Sequence, residues 1–275
     1  MTLLYNEPNE TAGRGCGGWR LCCPIKEMRV AEFVIEIAGV PVGIRSRFDE
    51  TKEYLSDYLS DREPLLSVEP TQEDLSRIQR SFDRMAEADG EPRREYHPIF
   101  LEKNAVHALL ADKLVAFDVL LMHGSALCMD GQAYIFTAPS GTGKSTHARL
   151  WREAFGSRVW MINDDKPLLR VENGGVTVYG SPWDGKHRLS TNASAPLKAV
   201  VSLRRQEENL LEPLSKEEAF PVLMSQCYRP RNPAVMARVI SLEKTILDLT
   251  GFYRLSCNMS PEAAQVAYRG MNPEA

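Results

Sequence analysis

Residues 137–151, TAPSGTGKSTHARLW, restrict the possible folds more than any other segment of this chain. An apolar run typical of a strand precedes the glycines, and a helical pattern follows them. A turn at that junction points backbone N–H groups toward one place, beside the partially positive N-terminus of the helix. The segment therefore predicts a phosphate-binding loop carried between a strand and a helix of an α/β fold.

The expected nucleotide contacts are consecutive in this loop. Its two glycines let the backbone turn its amides toward phosphate oxygens, and Ala138 tightens the turn without touching the ligand. We expect Lys144 to act as a catalytic cation across the terminal phosphates, Ser145 to ligate Mg²⁺ and Thr146 to contact the inner phosphate. The residues predicted to bind ATP are Ser140, Gly141, Thr142, Gly143, Lys144, Ser145 and Thr146. The alternative is a glycine-rich turn that only opens a helix.

Two acids, Asp164 and Asp165, follow the next predicted strand, RVWMIN. Beside a phosphate loop, one carboxylate can hold Mg²⁺ and a second can take the proton of an acceptor hydroxyl. We favour Asp164 as the catalytic base and Asp165 as the metal ligand, although spacing alone does not separate them. The alternative is that both acids simply begin a turn, as Asp often does.

His123 is the third candidate catalytic residue. It lies in MHGSAL, at the end of an apolar run and one hairpin before the loop. A histidine there can contact the γ-phosphate or the acceptor as a donor or a proton shuttle. The alternative is a structural histidine with satisfied hydrogen bonds. His147, on the helix after the loop, is expected to face outward.

Hairpins are predicted on both sides of the loop, which is unusual for a nucleotide-binding domain. Asp130-Gly131 joins the two strands before it, and Asn173-Gly174-Gly175 turns the segment KPLLRVENGGVTVYG after the acids. Doubly wound nucleotide domains instead place the loop after their first strand and alternate strands with helices. The order predicts an α/β fold with a mixed sheet that contains antiparallel hairpins.

Three regions are expected along the chain. Residues 1–27, which precede a start-like Met28, are expected to be a flexible N-terminal extension. Residues 28–90 combine a hairpin at 30–46 with amphipathic helices and predict a small N-terminal α/β region. Residues 91–275 hold the loop, the histidine and the acids, and are expected to form the functional domain.

HGSAL, APSGTGKST and NDD, in this order and spacing, resemble the catalytic core of HPr kinase/phosphorylase and its relatives. The resemblance covers residues 119–205. It implies the phosphate-loop core that this family shares with nucleotide-dependent phosphoenolpyruvate carboxykinases. Because some relatives are oligomeric, it also allows a homo-oligomer. It also implies that His123 and one aspartate match the active-site histidine and catalytic acid, and that Ser145 and the other aspartate match the Mg²⁺ partners.

The chain departs from HPr kinases at two places. Thr146 stands where they usually carry an acid, and GSPWDGKHRLSTN, residues 180–192, replaces their glycine-rich downstream signature. The resemblance is therefore to the broader set of HPr-kinase-related serine kinases, some of which act on peptides or small hydroxyl compounds. Within that segment, Lys186 or Arg188 can stabilise the transferring phosphoryl group, and Lys186 is our catalytic candidate. Trp183 can pack on a base or on the acceptor; the alternative is a solvated loop with one buried tryptophan.

The predicted function is ATP- and Mg²⁺-dependent phosphoryl transfer to a hydroxyl, of a peptide or protein serine or of a small molecule. The alternatives are a nucleotide switch without an acceptor and a donor other than ATP, such as pyrophosphate. A net charge of −4 provides no basic field for nucleic acid, and no apolar run approaches the roughly 18 residues that a membrane span needs. The N-terminus lacks a signal pattern, so a cytoplasmic protein is expected.

Overall fold

The computed structural model describes residues 30–185 and 187–273; the predicted extension, residues 1–27, lies outside the described residues. The described residues divide into two compact units. One contains residues 30–36 and 41–109, and the other contains residues 37–40 and 110–273.

The unit formed mainly by residues 41–109 contains a small sheet and helices. Its elements are β1 (Ala31–Ile37), β2 (Val40–Ser46), α1 (Asp49–Tyr54), β3 (Leu66–Val68), α2 (Gln72–Asp89) and the start of α3 (Pro98–Lys113). The sheet order is β1-β2-β3, with β3 parallel to β2. Helix α2 begins with a capping box between Thr71 and Asp74, and ends at Gly90 in the left-handed region. The β1–β2 hairpin and helix α2 match the predictions from the sequence.

The second unit contains a nine-stranded sheet. Its strands are β4 (Val119–Leu121), β5 (Ser125–Met129), β6 (Gln132–Thr137), β7 (Val159–Asn163), β8 (Leu168–Glu172), β9 (Gly175–Tyr179), β10 (Ser194–Arg205), β11 (Leu210–Pro213) and β12 (Gly251–Cys257). The order is β4-β8-β9-β10-β6-β5-β7, with β12 beside β10 and β11 beside β12. Strand β10 runs parallel to β6 and β12, and the other pairs are antiparallel. The mixed sheet and both predicted hairpins are confirmed.

Four helices cover this sheet: α4 (Lys144–Phe155), α5 (Lys216–Gln226), α6 (Pro233–Leu249) and α7 (Glu262–Met271). Side chains alternate across β6, so Ile135 packs in the core that includes α5 and α6, while Phe136 packs in the core that includes α4 and α7. None of the helices in the described ranges is long and apolar enough to cross a membrane.

The prediction that His147 faces outward is wrong. Its side chain is 2% exposed and lies edge-on against the Phe136 ring, with the centroids 4.5 Å apart. Trp151, one helical turn later, donates its indole N–H to Nε2 of His147 at 3.1 Å. These contacts turn the His147 face of α4 toward the sheet, and burial lowers the pKa of His147 to about 4.

The position of β5 brings distant sequence segments to one edge of the sheet. Strand β5 lies between β6 and β7 and is antiparallel to both, with Ser125 opposite Phe136 and Ala126 opposite Asn163. The beginning of β5 therefore lies at the same edge as the carboxyl ends of β6 and β7. The histidine before β5, the loop after β6 and the acids after β7 meet there.

Candidate active site

The glycine-rich loop, residues 138–143, leaves β6 and enters α4. Gly141 and Gly143 adopt φ values of 76° and 121°, in the region that strains L side chains. A Cβ added at Gly141 would meet no atom within 4 Å, so backbone conformation and not lack of space calls for glycine there. The loop also contains a turn in which the N–H of Thr142 donates to the Pro139 carbonyl at 3.3 Å.

Lys144 lies back across this loop. Its Nζ donates to the carbonyl of Ala138 at 3.1 Å, and its side chain is buried. Burial lowers the pKa of Lys144, and the charges of Asp165 and Asp164 act in the opposite direction. The ammonium group is thus held over the mouth of the loop, close to both acids.

Arg205, at the end of β10, contacts the loop from the neighbouring strand. Its Nε donates to the carbonyl of Thr142 at 3.0 Å, and its Nη2 donates to the carbonyl of Gly141. Sequence reasoning missed this residue, because the contact depends on the parallel pairing of β10 with β6.

Asp164 is held between two serines. The hydroxyl of Ser125 donates to Oδ1 of Asp164 at 2.6 Å, and the Ser145 side chain lies beside the same carboxylate in the wall of one cavity. Burial raises the pKa of Asp164 above its ordinary value, and the neighbouring charges of Asp184 and Asp165 add to that effect. Ser125 and Ser145 act in the opposite direction and lower this pKa. The first acid is therefore oriented toward the residue that is predicted to ligate Mg²⁺.

Asp165 has different neighbours. Its Oδ2 lies 3.0 Å from Nζ of Lys166, and its Oδ1 lies 3.4 Å from Nε2 of His123. The side chains of Asp165 and Lys166 are both less than one-tenth exposed. Lys166 was not predicted as a site residue, although it directly follows the acids in the sequence. The second acid is thus the counter-ion of a buried lysine.

Asn163 fixes the turn that carries both acids. Its Oδ1 accepts from the N–H groups of Asp165 and Lys166 at 2.8 and 2.6 Å, and its Nδ2 donates to the carbonyl of Ser181 at 3.0 Å. The side chain is completely buried, so these bonds replace the ones that water would otherwise make. The motif NDD therefore has a structural first residue and two acids that face different partners.

His123 lies beside this turn in a neutral form. Burial lowers its pKa to about 3, the charges of Lys166 and Lys144 act in the same direction, and the neighbouring Gln226 side chain opposes them. Its carbonyl accepts from the hydroxyl of Thr137 at 2.8 Å. The next residue must be a glycine, because the backbone at Gly124 lies close to β6. A Cβ there would lie 2.8 Å from the side chain of Ile135.

The segment from Ser181 to Asn192 covers the acids. Trp183 is 8% exposed. This burial agrees with the alternative interpretation of the segment, a loop with one buried tryptophan. Asp184 accepts from the N–H groups of Gly185 and Ser190 at 2.6 and 2.8 Å, and thereby closes the loop on itself. Arg188 is exposed, and the catalytic candidate Lys186 lies outside the described residues.

A cavity of about 210 Å³ opens beside Ser145 and Asp164. Its walls come from α4, β7 and the segment that covers the acids, and the lining residues are Ser145, Thr146, Ala148, Arg149, Arg152, Met161, Asp164, His187 and Leu189. The cavity adjoins the first acid, whereas Asp165 is not among its lining residues.

The residues present fit a hydrated Mg²⁺ at one position. The described residues contain no group of three or more His, Cys, Asp or Glu side chains arranged as metal ligands. Mg²⁺ bound with phosphates usually keeps several waters and takes only one or two protein oxygens, so such a group is not required. Ser145 and Asp164 converge and supply oxygens of that kind. Both oxygens of Asp165 face nitrogen atoms, which makes it the poorer ligand.

Comparisons with known proteins give distant structural likenesses and no match by sequence. No family model matches the chain, and no curated protein matches it. Among solved structures, the chain is similar to the Hpr(Ser) kinase/phosphatase from Coxiella burnetii, with 11% sequence identity and a TM-score of 0.34. The alignment covers 55% of this chain and 95% of the other. A likeness this distant does not assign a function, which has to come from the geometry of the site.

Proposed function

We propose that this protein is a kinase that transfers the γ-phosphoryl group of ATP to a hydroxyl acceptor. The observation that carries the proposal is the contact of Ser145, the serine after the loop lysine, with the buried carboxylate of Asp164. This contact brings the strand-loop-helix segment and the first acid together at one edge of the sheet. Glycine-rich loops of this form bind phosphates through backbone amides and a helix N-terminus.

Lys144 supplies the positive charge that phosphoryl transfer requires. The charge of the transferring group spreads over its oxygens, and a fixed cation in a buried place stabilises that charge strongly. The ammonium group lies at the loop mouth, within hydrogen-bond distance of Ala138. Bound Mg²⁺, held by Ser145 and, through a water, by Asp164, would further neutralise phosphate charge and leave the carboxylate able to accept a proton.

Asp164 is the acid that faces the reacting groups. The acceptor oxygen forms a bond to the γ-phosphorus while the bond between that phosphorus and the bridging oxygen of ADP breaks. The proton of the acceptor hydroxyl passes to the carboxylate of Asp164. A pKa raised by burial makes this carboxylate a stronger base than an exposed aspartate, and Ser125 fixes its orientation.

Asp165 and His123 support this arrangement without taking the proton. Asp165 neutralises Lys166, and the pair contacts His123. With a pKa of about 3, His123 is neutral near pH 7 and serves as a hydrogen-bond donor or acceptor, not as a cation. In this assignment the metal partner of Ser145 is Asp164, in place of the Asp165 that the sequence alone favoured.

The experiment is a transfer assay with γ-labelled ATP, Mg²⁺ and a panel of peptides and small alcohols. We expect label on an acceptor with the wild type and almost none with Lys144→Met or Asp164→Asn. Arg269→Gln, an exposed substitution on α7, is the control. If label appears only as free phosphate over the whole panel, the protein is a nucleotide hydrolase or switch, and the kinase proposal is wrong.

A further inference from the structure

The cavity beside Ser145 and Asp164 has an end rich in positive charge. Arg149 and Arg152 lie three residues apart on α4, so they occupy one face of the helix, and both line the cavity. We propose that this cavity binds the phosphoryl acceptor and that the acceptor is a small hydroxy acid whose carboxylate is held by these two arginines. This inference rests on the proposed kinase function and names the class of its substrate.

The hydrogen bonding of the two arginines leaves donors for a ligand. Arg149 forms an ion pair with Glu153 at 2.6 Å in which both side chains are about half exposed, so this pair is weak and easily exchanged. The Nε of Arg152 is buried and has no hydrogen-bond partner among the described residues. Because that atom is closed off from the cavity, a ligand carboxylate would meet the terminal guanidinium nitrogens of Arg152, which lines the cavity and is partly exposed. Guanidinium groups match carboxylates in shape and charge.

The volume of the cavity fits a small acceptor. A volume of about 210 Å³ is below the range of roughly 300–1,000 Å³ for pockets that take drug-sized ligands. A small molecule such as serine or glycerate is therefore the size of acceptor that this cavity suits. Met161 and Leu189 supply apolar wall for its carbon atoms.

Two kinds of group in the cavity wall give the acceptor one orientation. Asp164 directly follows β7, and Arg149 and Arg152 lie on α4, one and two helical turns beyond Ser145. A hydroxy acid whose carboxylate contacts Arg152 can present its hydroxyl to Asp164. That oxygen then forms the bond to the γ-phosphorus, ADP leaves, and the proton passes to Asp164. The arginines remain charged throughout, and they select the acceptor without reacting.

The first experiment compares matched acceptors with γ-labelled ATP. L-Serine is paired with L-serinamide, and glycerate is paired with glyceramide, so that each pair keeps the hydroxyls and differs only in the carboxylate. We expect at least one acid to be labelled, and its neutral partner to be labelled at least tenfold more slowly. Analogues without hydroxyls should inhibit competitively against the labelled acid. They are L-alanine for serine and propionate for glycerate.

The second experiment uses variants of the two arginines with the acid that is labelled. Loss of a charge-assisted hydrogen bond corresponds to about a ten- to hundredfold change. We expect Arg152→Gln to raise the KM for the acid by that factor, Arg149→Gln to raise it less, and the KM for ATP to stay within about twofold. Arg269→Gln, which removes an exposed arginine outside the cavity, should change neither constant.

Each other outcome has a distinct meaning. Equal labelling of acids and neutral partners, or labelling of peptide serines alone, overturns the hydroxy-acid proposal and leaves the kinase function standing. If Arg152→Gln changes only the KM for ATP, the cavity belongs to the nucleotide site, and the hydroxy-acid proposal is overturned as well. Failure of ATP to bind in calorimetry, together with no labelling at all, contradicts the kinase function itself.

Discussion

The Nζ atom of Lys166 lies 3.0 Å from Oδ2 of Asp165, and the two side chains are 7% and 9% exposed. A buried ion pair contributes little net stability as a unit, but removing one partner leaves the other charge buried without compensation. The two adjacent acids therefore have different neighbours. Asp165 is paired with a lysine, whereas Asp164 accepts from Ser125 and lines the cavity.

Lys166→Met should lower the free energy of unfolding by about 3–5 kcal/mol, because Asp165 would remain buried without its cation. Urea unfolding followed by circular dichroism measures this change. The matched control is Lys216→Met, which removes an ion pair with Asp248 whose side chains are 65% and 62% exposed. That variant should change stability by less than about 1 kcal/mol. Equal effects in the two variants would contradict a structural role for the Lys166 pair.

Asp164→Asn should lower phosphoryl transfer by about 10²- to 10⁴-fold, since an amide cannot accept the hydroxyl proton. Calorimetry should show that the variant still binds ATP in the absence of Mg²⁺ with nearly wild-type affinity. Asp165→Asn should instead lower stability, and the folded fraction should retain transfer activity. A stable, inactive Asp165→Asn protein beside an active Asp164→Asn protein would reverse the two assignments.

Gly141→Ala should weaken ATP binding at least tenfold, because its φ of 76° strains an L residue and the loop would change shape. Gly131→Ala is the matched control: it lies in the β5–β6 turn with a φ of 77° and equally open space. Both variants should lose about 1 kcal/mol of stability. Only the first should change the ATP dissociation constant. A loss of ATP affinity in both would indicate a general structural effect.

The stability of the protein should fall as the pH decreases from 7 to 5. The pKa of His147 is about 4, below its ordinary value of 6.5, so the unfolded chain binds a proton in this range that the folded chain does not. For one such group the slope approaches about 1.4 kcal/mol per pH unit between pH 6 and 5 and is smaller near pH 7, so the loss from pH 7 to 5 is about 2 kcal/mol. His147→Gln keeps an acceptor for Trp151 and should reduce the slope by nearly that amount. Unfolding curves at pH 7, 6 and 5 measure it, and unchanged slopes would contradict a buried neutral histidine.

Features with local causes were predictable from the sequence. The turn at Asp130-Gly131 places both residues at positive φ, and Ser215 and Glu218 form the capping box that starts α5. Each depends on residues a few positions apart, whose chemistry is legible in a single segment. The mixed sheet followed from the hairpins on both sides of the loop.

Features that depend on register were not predictable. The contact of Arg205 with the loop requires the parallel alignment of β10 and β6, and the sequence contains no local signal for that pairing. The orientation of His147 was predicted wrongly because it depends on which face of α4 meets Phe136. The different neighbours of Asp164 and Asp165 depend on side chains from three strand ends. The spacing of residues along the chain could not show which acid has which neighbour.

The antiparallel strand between β6 and β7 also has a consequence for how the protein folds. Because that strand joins β6 through a two-residue turn, the histidine, the loop and both acids all belong to residues 123–166 and meet through neighbouring strands. Contacts of short sequence separation form faster than distant ones, since less loop-closure entropy opposes them. This edge of the sheet is therefore expected to assemble early, before β12 docks against β10 from the far end of the chain.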